Sequence, residues 1–422
     1  MYNELEAYIS CGAYPFHMPG HKRNANFFPP NLFQLDVTEL PETDVLSAPG
    51  GMIRDLQEKI SRFYGSDESF LLVNGSSAGV SAAVCAVTSG KQSRIFVPRN
   101  AHASAVNGLV LSGATPIWFL PEFTTDGLAG RVSPQNFDDM PYGAAALIVS
   151  PTYEGFVSDI AAIAAKVHAR GGVLIVDEAH GAHFAFHDYF PAHALACGAD
   201  IVVNSFHKTL PMLSGCAVLH VKGGRVDVPR LRFFINAMQT TSPSFAMMAQ
   251  CDFALEKLWA EPDLFDKYVE RLETARQEFG QNIVKNDDPG KLLFNGVIAA
   301  DDIAFEMTTD RHTLAMTSVA DTDEGFARLS RAVQNTSPPP KGDNTIAPVL
   351  PEIAMSPREA IMRNYENIPS EQAIGRISAE VIVEYPPGIA CLVPGERITK
   401  KISNPTLRVV RERTSTKKIV AV

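Results

Sequence analysis

Apolar residues along this chain switch between two periods, and the switching marks out its elements. Ile53, Leu56, Ile60 and Phe63 recur at helical spacing, and Gly65 ends that run. Residues 70–74 then read as a short strand. The turn Gly75-Ser76-Ser77-Ala78-Gly79 follows it, and a helix of small apolar residues is expected at about 80–88. Further strands are expected at Arg94–Pro98, 116–120, 146–150, 173–177 and Ile201–Asn204. Helices are expected between them at 103–113 and 158–170, the second opening at a serine cap and closing before Gly171-Gly172. Strands separated by helices predict βαβ units, hence an α/β fold with a mostly parallel sheet covered on its faces. In such sheets the polar residues at the strands' C-terminal ends face a ligand crevice. Asn74, Ser150, Asp177 and Asn204 lie at or near such ends.

Residues 1–50 read as an arm rather than a domain. A short helix reaches Ser10, and Pro15, Pro19, Pro29, Pro30, Pro41 and Pro49 then oppose long regular elements. The arm is expected to lie over a neighbouring surface, another subunit among the possibilities, with His17, His21 and Lys22 as polar residues of an irregular segment. Residues 51–260 form the expected large domain, which includes helices at Val228–Met238 and 245–259. A long helix at 262–279, charged on one side, opens a connecting and mixed segment that runs to residue 335. Residues 336–422 are expected to form a small C-terminal α+β domain. It begins with a proline-rich linker at 336–342, has a helix near 357–365, and ends in a basic, partly ordered tail after Thr399.

Bulk properties narrow the class. A chain of 422 residues can bury a large core, and 45% hydrophobic with 20% charged residues is ordinary globular composition. The net charge of −10 argues against a nucleic-acid surface. Met1-Tyr2-Asn3-Glu4-Leu5-Glu6 carries no signal-peptide features, and no apolar run reaches the ~20 residues that span a bilayer. The six cysteines are scattered with no C-x-x-C pair, so reduced core residues in a cytoplasmic protein are expected.

Candidate chemistry centres on Ser205-Phe206-His207-Lys208-Thr209-Leu210-Pro211, which directly follows a buried strand. Desolvation lowers an amine's pKa, and a neutral amine forms a Schiff base with a carbonyl. Asp177-Glu178-Ala179-His180 imitates the acidic box of nucleotide-driven helicases, but no G-x-x-x-x-G-K-[ST] loop accompanies it: Gly90-Lys91 is followed by Gln92, and Gly290-Lys291 by Leu292. A metal site on Asp177, His180, His183 and His187 lacks the helical pairing of two histidines around a glutamate. Pyridoxal phosphate fits more of the pattern. Lys208 is the amine, and Gly75, Ser76 and Ser77 offer amides and hydroxyls to a phosphate at a helix start, joined by Ser205 and His207 beside the lysine. Asp177 is a carboxylate placed to keep a pyridine nitrogen protonated, and His102 is a flat partner for the ring.

At these residues the chain resembles the bacterial ornithine/lysine/arginine decarboxylases, pyridoxal-phosphate enzymes of the aspartate aminotransferase fold. The strings FHMPGHK, VNGSSAGVSAAV, RNAHAS, SPTYEGFVSDI, VDEAHGAHF, SFHKTLP, TTSPS and EYPPGIACLVPGE carry the resemblance over about residues 14–399. It implies decarboxylation of arginine, lysine or ornithine, with Lys208 as the Schiff-base lysine and Asp177 on the pyridine nitrogen. It also implies that His102 stacks on the ring, with Ala179 on the other side, and that Ser76, Ser77, Ser205 and His207 hold the phosphate. Thr240 would serve the phosphate of a neighbouring subunit in a homodimer. Glu380 and Glu396 are candidates for the substrate's distal cation. Two departures stand out: Ala103 occupies the place of a family lysine, and no receiver-like domain precedes the arm, as in short members of the family. Two readings stay open beside this one. One is another reaction on the same cofactor, such as transamination (with Arg376 as carboxylate clamp) or C–S bond elimination; the other is a catalytically idle homologue.

Overall fold

The computed structural model describes residues 1–88, 93–340, 349–385 and 388–411. Gly90, Lys91, Gln92, Lys341, Gly342, Pro386, Pro387 and the tail beyond Arg411 lie outside the described residues.

The sequence-predicted βαβ pattern folds into one seven-stranded sheet. After α1 (Tyr2–Ser10), β1 (Tyr14–Phe16) and α2 (Met52–Tyr64) come β2 (Glu68–Leu72), α3 (Gly75–Thr88), β3 (Arg94–Pro98), α4 (Ala103–Ser112) and β4 (Thr115–Phe119). Then follow β5 (Ala145–Val149), α5 (Ile160–Ala169), β6 (Leu174–Asp177), β7 (Ile201–Asn204), the single-turn α6 (Phe206–Thr209) and β8 (Ala217–Val221). Spatial order is β2-β8-β7-β6-β5-β3-β4, and β8 alone runs antiparallel to its neighbours. The central strands β5, β6 and β7 are apolar up to their C-terminal ends because both faces are covered. Leu174, Val176 and Val202 join one hydrophobic cluster with Ile53, Leu56 and Ile60 of α2 and Ile163 of α5. Ile175, Ile201 and Val203 join another with Val80 of α3 and Leu109 of α4. This is the period-2 alternation of a strand, with a helix waiting on each side.

Several boundaries differ from those expected, for identifiable reasons. The third helix begins at Gly75 rather than near Val80. Gly79, read as part of the turn, lies inside it, and a Cβ there would stand 2.6 Å from Leu72 Cδ1. That glycine serves close helix–strand packing rather than helix breaking. The fifth helix is capped by Asp159, whose carboxylate accepts from Ala162 N, and not by Ser158. Tyr365, expected at a helix end, instead opens the strand Tyr365–Pro369, which pairs antiparallel with Thr406–Val410. That second strand belongs to the segment expected to be partly ordered. Thr336–Ser337, expected in a linker, pairs with Val297–Ile298.

The arm is tied down on its own chain. β1 pairs in parallel with Ile303–Phe305. Lys22 is buried and donates to the carbonyls of His17 and Met316. Gly20 N donates to His207 O at 2.7 Å, so the arm crosses directly over the lysine-bearing turn. A Cβ on Gly20 would meet Leu210 O at 2.5 Å, which explains a glycine at this crossing.

Candidate active site

The C-terminal ends of the parallel strands open into a cavity of ≈ 170 Å³. Its walls include Gly75, Ser76 and Ser77 from the first turn of α3, His102 before α4, Asp177 at the end of β6 with Ala179 after it, and His207 and Lys208 on α6. His180, Tyr153 and Glu154 complete the part used below. Four chain segments far apart in sequence thus converge, as expected where the sheet's loops meet.

Asp177 is the residue the alternation of β6 delivers to the cavity, while Glu178 turns away. Glu178 is buried and accepts from Ala194 N and Asn204 Nδ2, an internal strut whose carboxyl burial pushes up to about 8. Asp177 accepts from Ala179 N at 3.2 Å. Burial raises its pKa, an effect that Lys208 and His102 offset in part. Of the four polar strand-end residues anticipated, only Asp177 lines the cavity. Ser150 binds Ser158 N, Asn204 binds Glu178, and the exposed Asn74 reaches Met238 O.

His102 caps α4. Its Nδ1 accepts from Ser104 N at 3.2 Å and meets Ser104 Oγ at 2.9 Å, so the proton of the neutral ring sits on Nε2. Gly388 presses against this ring from the C-terminal region: Ala103 N donates to Gly388 O, and a Cβ at Gly388 would stand 2.8 Å from His102 Cδ2. With φ at +97°, that position suits glycine on both counts. Ala103 itself is half-buried at the start of the helix.

Ser205 is buried, and its Oγ lies 3.2 Å from His207 Nδ1, which also faces Cys216 O at 2.9 Å. A carbonyl only accepts, so Nδ1 carries a proton, and Nε2 of His207 can donate to an anion only as imidazolium. Burial lowers the pKa of His207. Lys208 is half-buried, and its Nζ lies 3.0 Å from His180 Nε2. Burial lowers its pKa, with Asp177 and Glu306 opposing.

Other expected residues fall elsewhere. Thr240 is exposed, bonds Ser242 N and does not line the cavity of its own chain. Glu396 is buried in an ion pair with Arg99 at 3.2 Å, and Glu380 accepts from Arg408 N. Neither touches the cavity. Arg376 is bound to Glu366 at 2.6 Å and to Val410 O. The histidines weighed as metal ligands part company: His180 faces Lys208, His183 pairs with Asp288, and His187 pairs with Asp266. Sequence reading did not assign Glu154 to the site, although it lies within the string SPTYEGFVSDI that helps carry the resemblance. It is buried beside Thr152, and burial raises its pKa.

The donor set suits pyridoxal phosphate. Gly75 N is spent on Gly215 O, but the amides and hydroxyls of Ser76 and Ser77 at the helix start, a histidine able to carry charge, a buried carboxylate and a desolvated amine face one space.

Comparison with known proteins points the same way. The family model described as "Orn/Lys/Arg decarboxylase, major domain" matches residues 1–312, and "Orn/Lys/Arg decarboxylase, C-terminal domain" matches residues 342–415. An arginine decarboxylase of Halalkalibacterium halodurans is 30% identical, covering 95% of this chain and 91% of that one. A lysine decarboxylase structure from Francisella novicida superposes with TM-score 0.74 at 19% identity, over 92% of this chain and 76% of that one. A serine palmitoyltransferase of S. paucimobilis with bound PLP shares the fold at TM-score 0.55 and 13% identity, over 76% and 86% of the two chains.

Proposed function

The chain belongs to the Orn/Lys/Arg decarboxylase family, and from that premise we propose that it removes the α-carboxylate of arginine at the Lys208 cavity, with pyridoxal phosphate held by the residues around it. The observation that carries this reading is the convergence of Lys208, Asp177, His102 and the start of α3 on one cavity. Arginine is favoured among basic amino acids by relatives such as the H. halodurans enzyme.

Each residue has a task set by its surroundings. The amides and hydroxyls of Ser76 and Ser77, with a protonated His207, would hold the phosphate group, and Ser205, buried outside the cavity wall, would join them through its contact with His207. Asp177 would keep a proton on the pyridine nitrogen; in a buried site one such charge pair is strong. His102 and Ala179 would flank the ring, and the Ser104 and Gly388 contacts fix the His102 plane. When bound, the cofactor supplies an electron sink for the pair left behind by carbon dioxide. Lys208 would supply the amine that attaches the cofactor's carbonyl with loss of water, and Lys208 or His102 would return a proton to Cα after carbon dioxide leaves.

Glu154 replaces Glu380 and Glu396 as the proposed partner of the substrate's guanidinium. It is the buried cavity-wall carboxylate besides Asp177, and a bound guanidinium would give it a charge-assisted partner within the site. A homodimer in which the exposed Thr240 serves a second copy is part of this proposal.

The test is carbon dioxide release from arginine, lysine and ornithine by protein supplied with pyridoxal phosphate. Arginine should react fastest. Release from none of the three, with amino transfer to a keto acid instead, would overturn the reading; Arg376, engaged with Glu366, speaks against that outcome. Glu154→Gln should lower kcat/KM for arginine by about 10- to 150-fold, the loss of one charge-assisted hydrogen bond. Cofactor retention should be unchanged.

A further inference from the structure

A second lysine stands behind the first. Lys291 opens the strand Lys291–Asn295 and is only 1% exposed. Its Nζ lies 2.9 Å from His180 Nδ1 and 2.9 Å from Tyr153 O. His180 Nε2 in turn lies 3.0 Å from Lys208 Nζ. One imidazole therefore bridges two amines with its two nitrogens, and nothing in the sequence pattern, where these residues are 111 and 28 positions from the histidine, announces it.

Proton counting decides what this bridge can be. A neutral imidazole donates through one nitrogen and accepts through the other. Whichever nitrogen donates needs a lone pair opposite it, and only a neutral amine has one. Both contacts are therefore hydrogen bonds only if one of the two lysines is uncharged. The arrangement has two states related by transfer of a proton at each end. In one, Lys208 is an ammonium that donates to Nε2, while Nδ1–H donates to neutral Lys291. In the other, Nε2–H donates to neutral Lys208, while Lys291 is the ammonium.

We propose that Lys208, His180 and Lys291 form a relay sharing a single proton, in which Lys291 takes it whenever Lys208 must be a neutral amine. The step balances: an N–H bond of Lys208 breaks as Nε2–H forms, and Nδ1–H breaks as an N–H bond of Lys291 forms, with the net charge unchanged. Lys291 is thus a positioning residue that acts through His180, and the inference rests on the reading of Lys208 as the cofactor-bonding amine. Run in reverse, the relay recharges Lys208 as a proton donor.

The surroundings favour a mobile proton over two fixed charges. Burial pushes Lys291 down to about 8 and holds His180 well below the ordinary histidine range. The groups facing Lys291 are Asp288 on the preceding turn, Glu154 with the Tyr153 ring after β5, Glu306 beyond the strand, and Lys208. Asp288 is already committed to His183 and Gly290 N, and Glu306 to Tyr153 and Met18 N. His180 also faces His102 and His207, and Lys208 faces Asp177 and Glu306, which favour its charged form.

The experiment follows attachment of pyridoxal phosphate to full-length protein freed of it, by absorbance, across pH 6–10. Attachment needs neutral Lys208. Removing Lys291 removes both a proton acceptor and a nearby cation, so Lys208 keeps its proton to higher pH. Lys291→Met should move the profile upward by about one pH unit, a tenfold slower attachment near neutrality. Lys291→Gln keeps hydrogen-bonding capacity but cannot carry the proton, and it should shift equally. A Lys291→Gln profile that superimposes on wild type would reduce Lys291 to a structural strut. Should the variants misfold, competitive acetylation of wild-type Lys208 decides: titration like an ordinary lysine, near about 10.4, overturns the relay. Wild-type protein that attaches no cofactor at any pH refutes the cofactor reading instead, so the two failures are distinct.

Discussion

Lys208→Ala should leave a folded protein that takes up no covalent pyridoxal phosphate and decarboxylates arginine at least about 1,000-fold more slowly. The side chain stands on the single-turn α6, whose backbone is held by Gly20 N on His207 O and by Leu210 N on Phe206 O. Truncation at Cβ empties space in a cavity rather than in the packed core, so unfolding is not expected to obscure the result. The absorbance band that develops when wild-type protein is mixed with the cofactor is the direct measurement. A variant that keeps the band would move the amine role to another lysine, and Lys291, two hydrogen bonds away, would be the first to examine.

Asp177→Asn should be nearly as damaging by a different route. Asparagine has the same shape and can still accept from Ala179 N, so geometry is preserved. It carries no charge to hold a proton on a ring nitrogen, and in a buried site that charge has no solvent substitute. The expected result is a fall in kcat of roughly 10²- to 10⁴-fold with little change in KM. The carboxylate also raises the pKa of Lys208, so its removal leaves Lys208 neutral to lower pH. Cofactor attachment near neutrality should therefore survive, or quicken, while turnover collapses. Equal loss of both would point to general disruption and sink the electrostatic role. This opposition between attachment and turnover also separates Asp177 from Lys291, whose removal slows attachment.

Much of this arrangement could be read along the chain because its determinants are local. The run that forms β6 is continuously apolar and the polar residue ending it is the next one in line, so Asp177 is visible without a fold. Lys208 follows β7 by a single turn, and His102 follows β3 in the same way. An α/β sheet collects such strand ends at one edge whatever its detailed order. Family resemblance then attaches chemistry to them.

What the sequence left open depends on contacts between distant segments. Glu154 becomes a cavity wall only because β5 and β6 are neighbours, and Lys291 reaches His180 only because its strand packs beneath that loop. Glu396 looked available in the sequence, yet Arg99 from β3's end neutralises it. The surface under the arm was not legible either, because its prolines say what the segment cannot be and not what it touches. Pairing of β1 with Ile303–Phe305 and the glycine crossing at Leu210 decide that. Sequence by itself thus determined the layered fold, the family and the residues at the strand ends, since periodicity and motif are properties of neighbours. Tertiary structure alone decided which carboxylate faces the cavity and that two lysines meet across one imidazole, since proton sharing requires atoms within about 3 Å that the chain carries far apart.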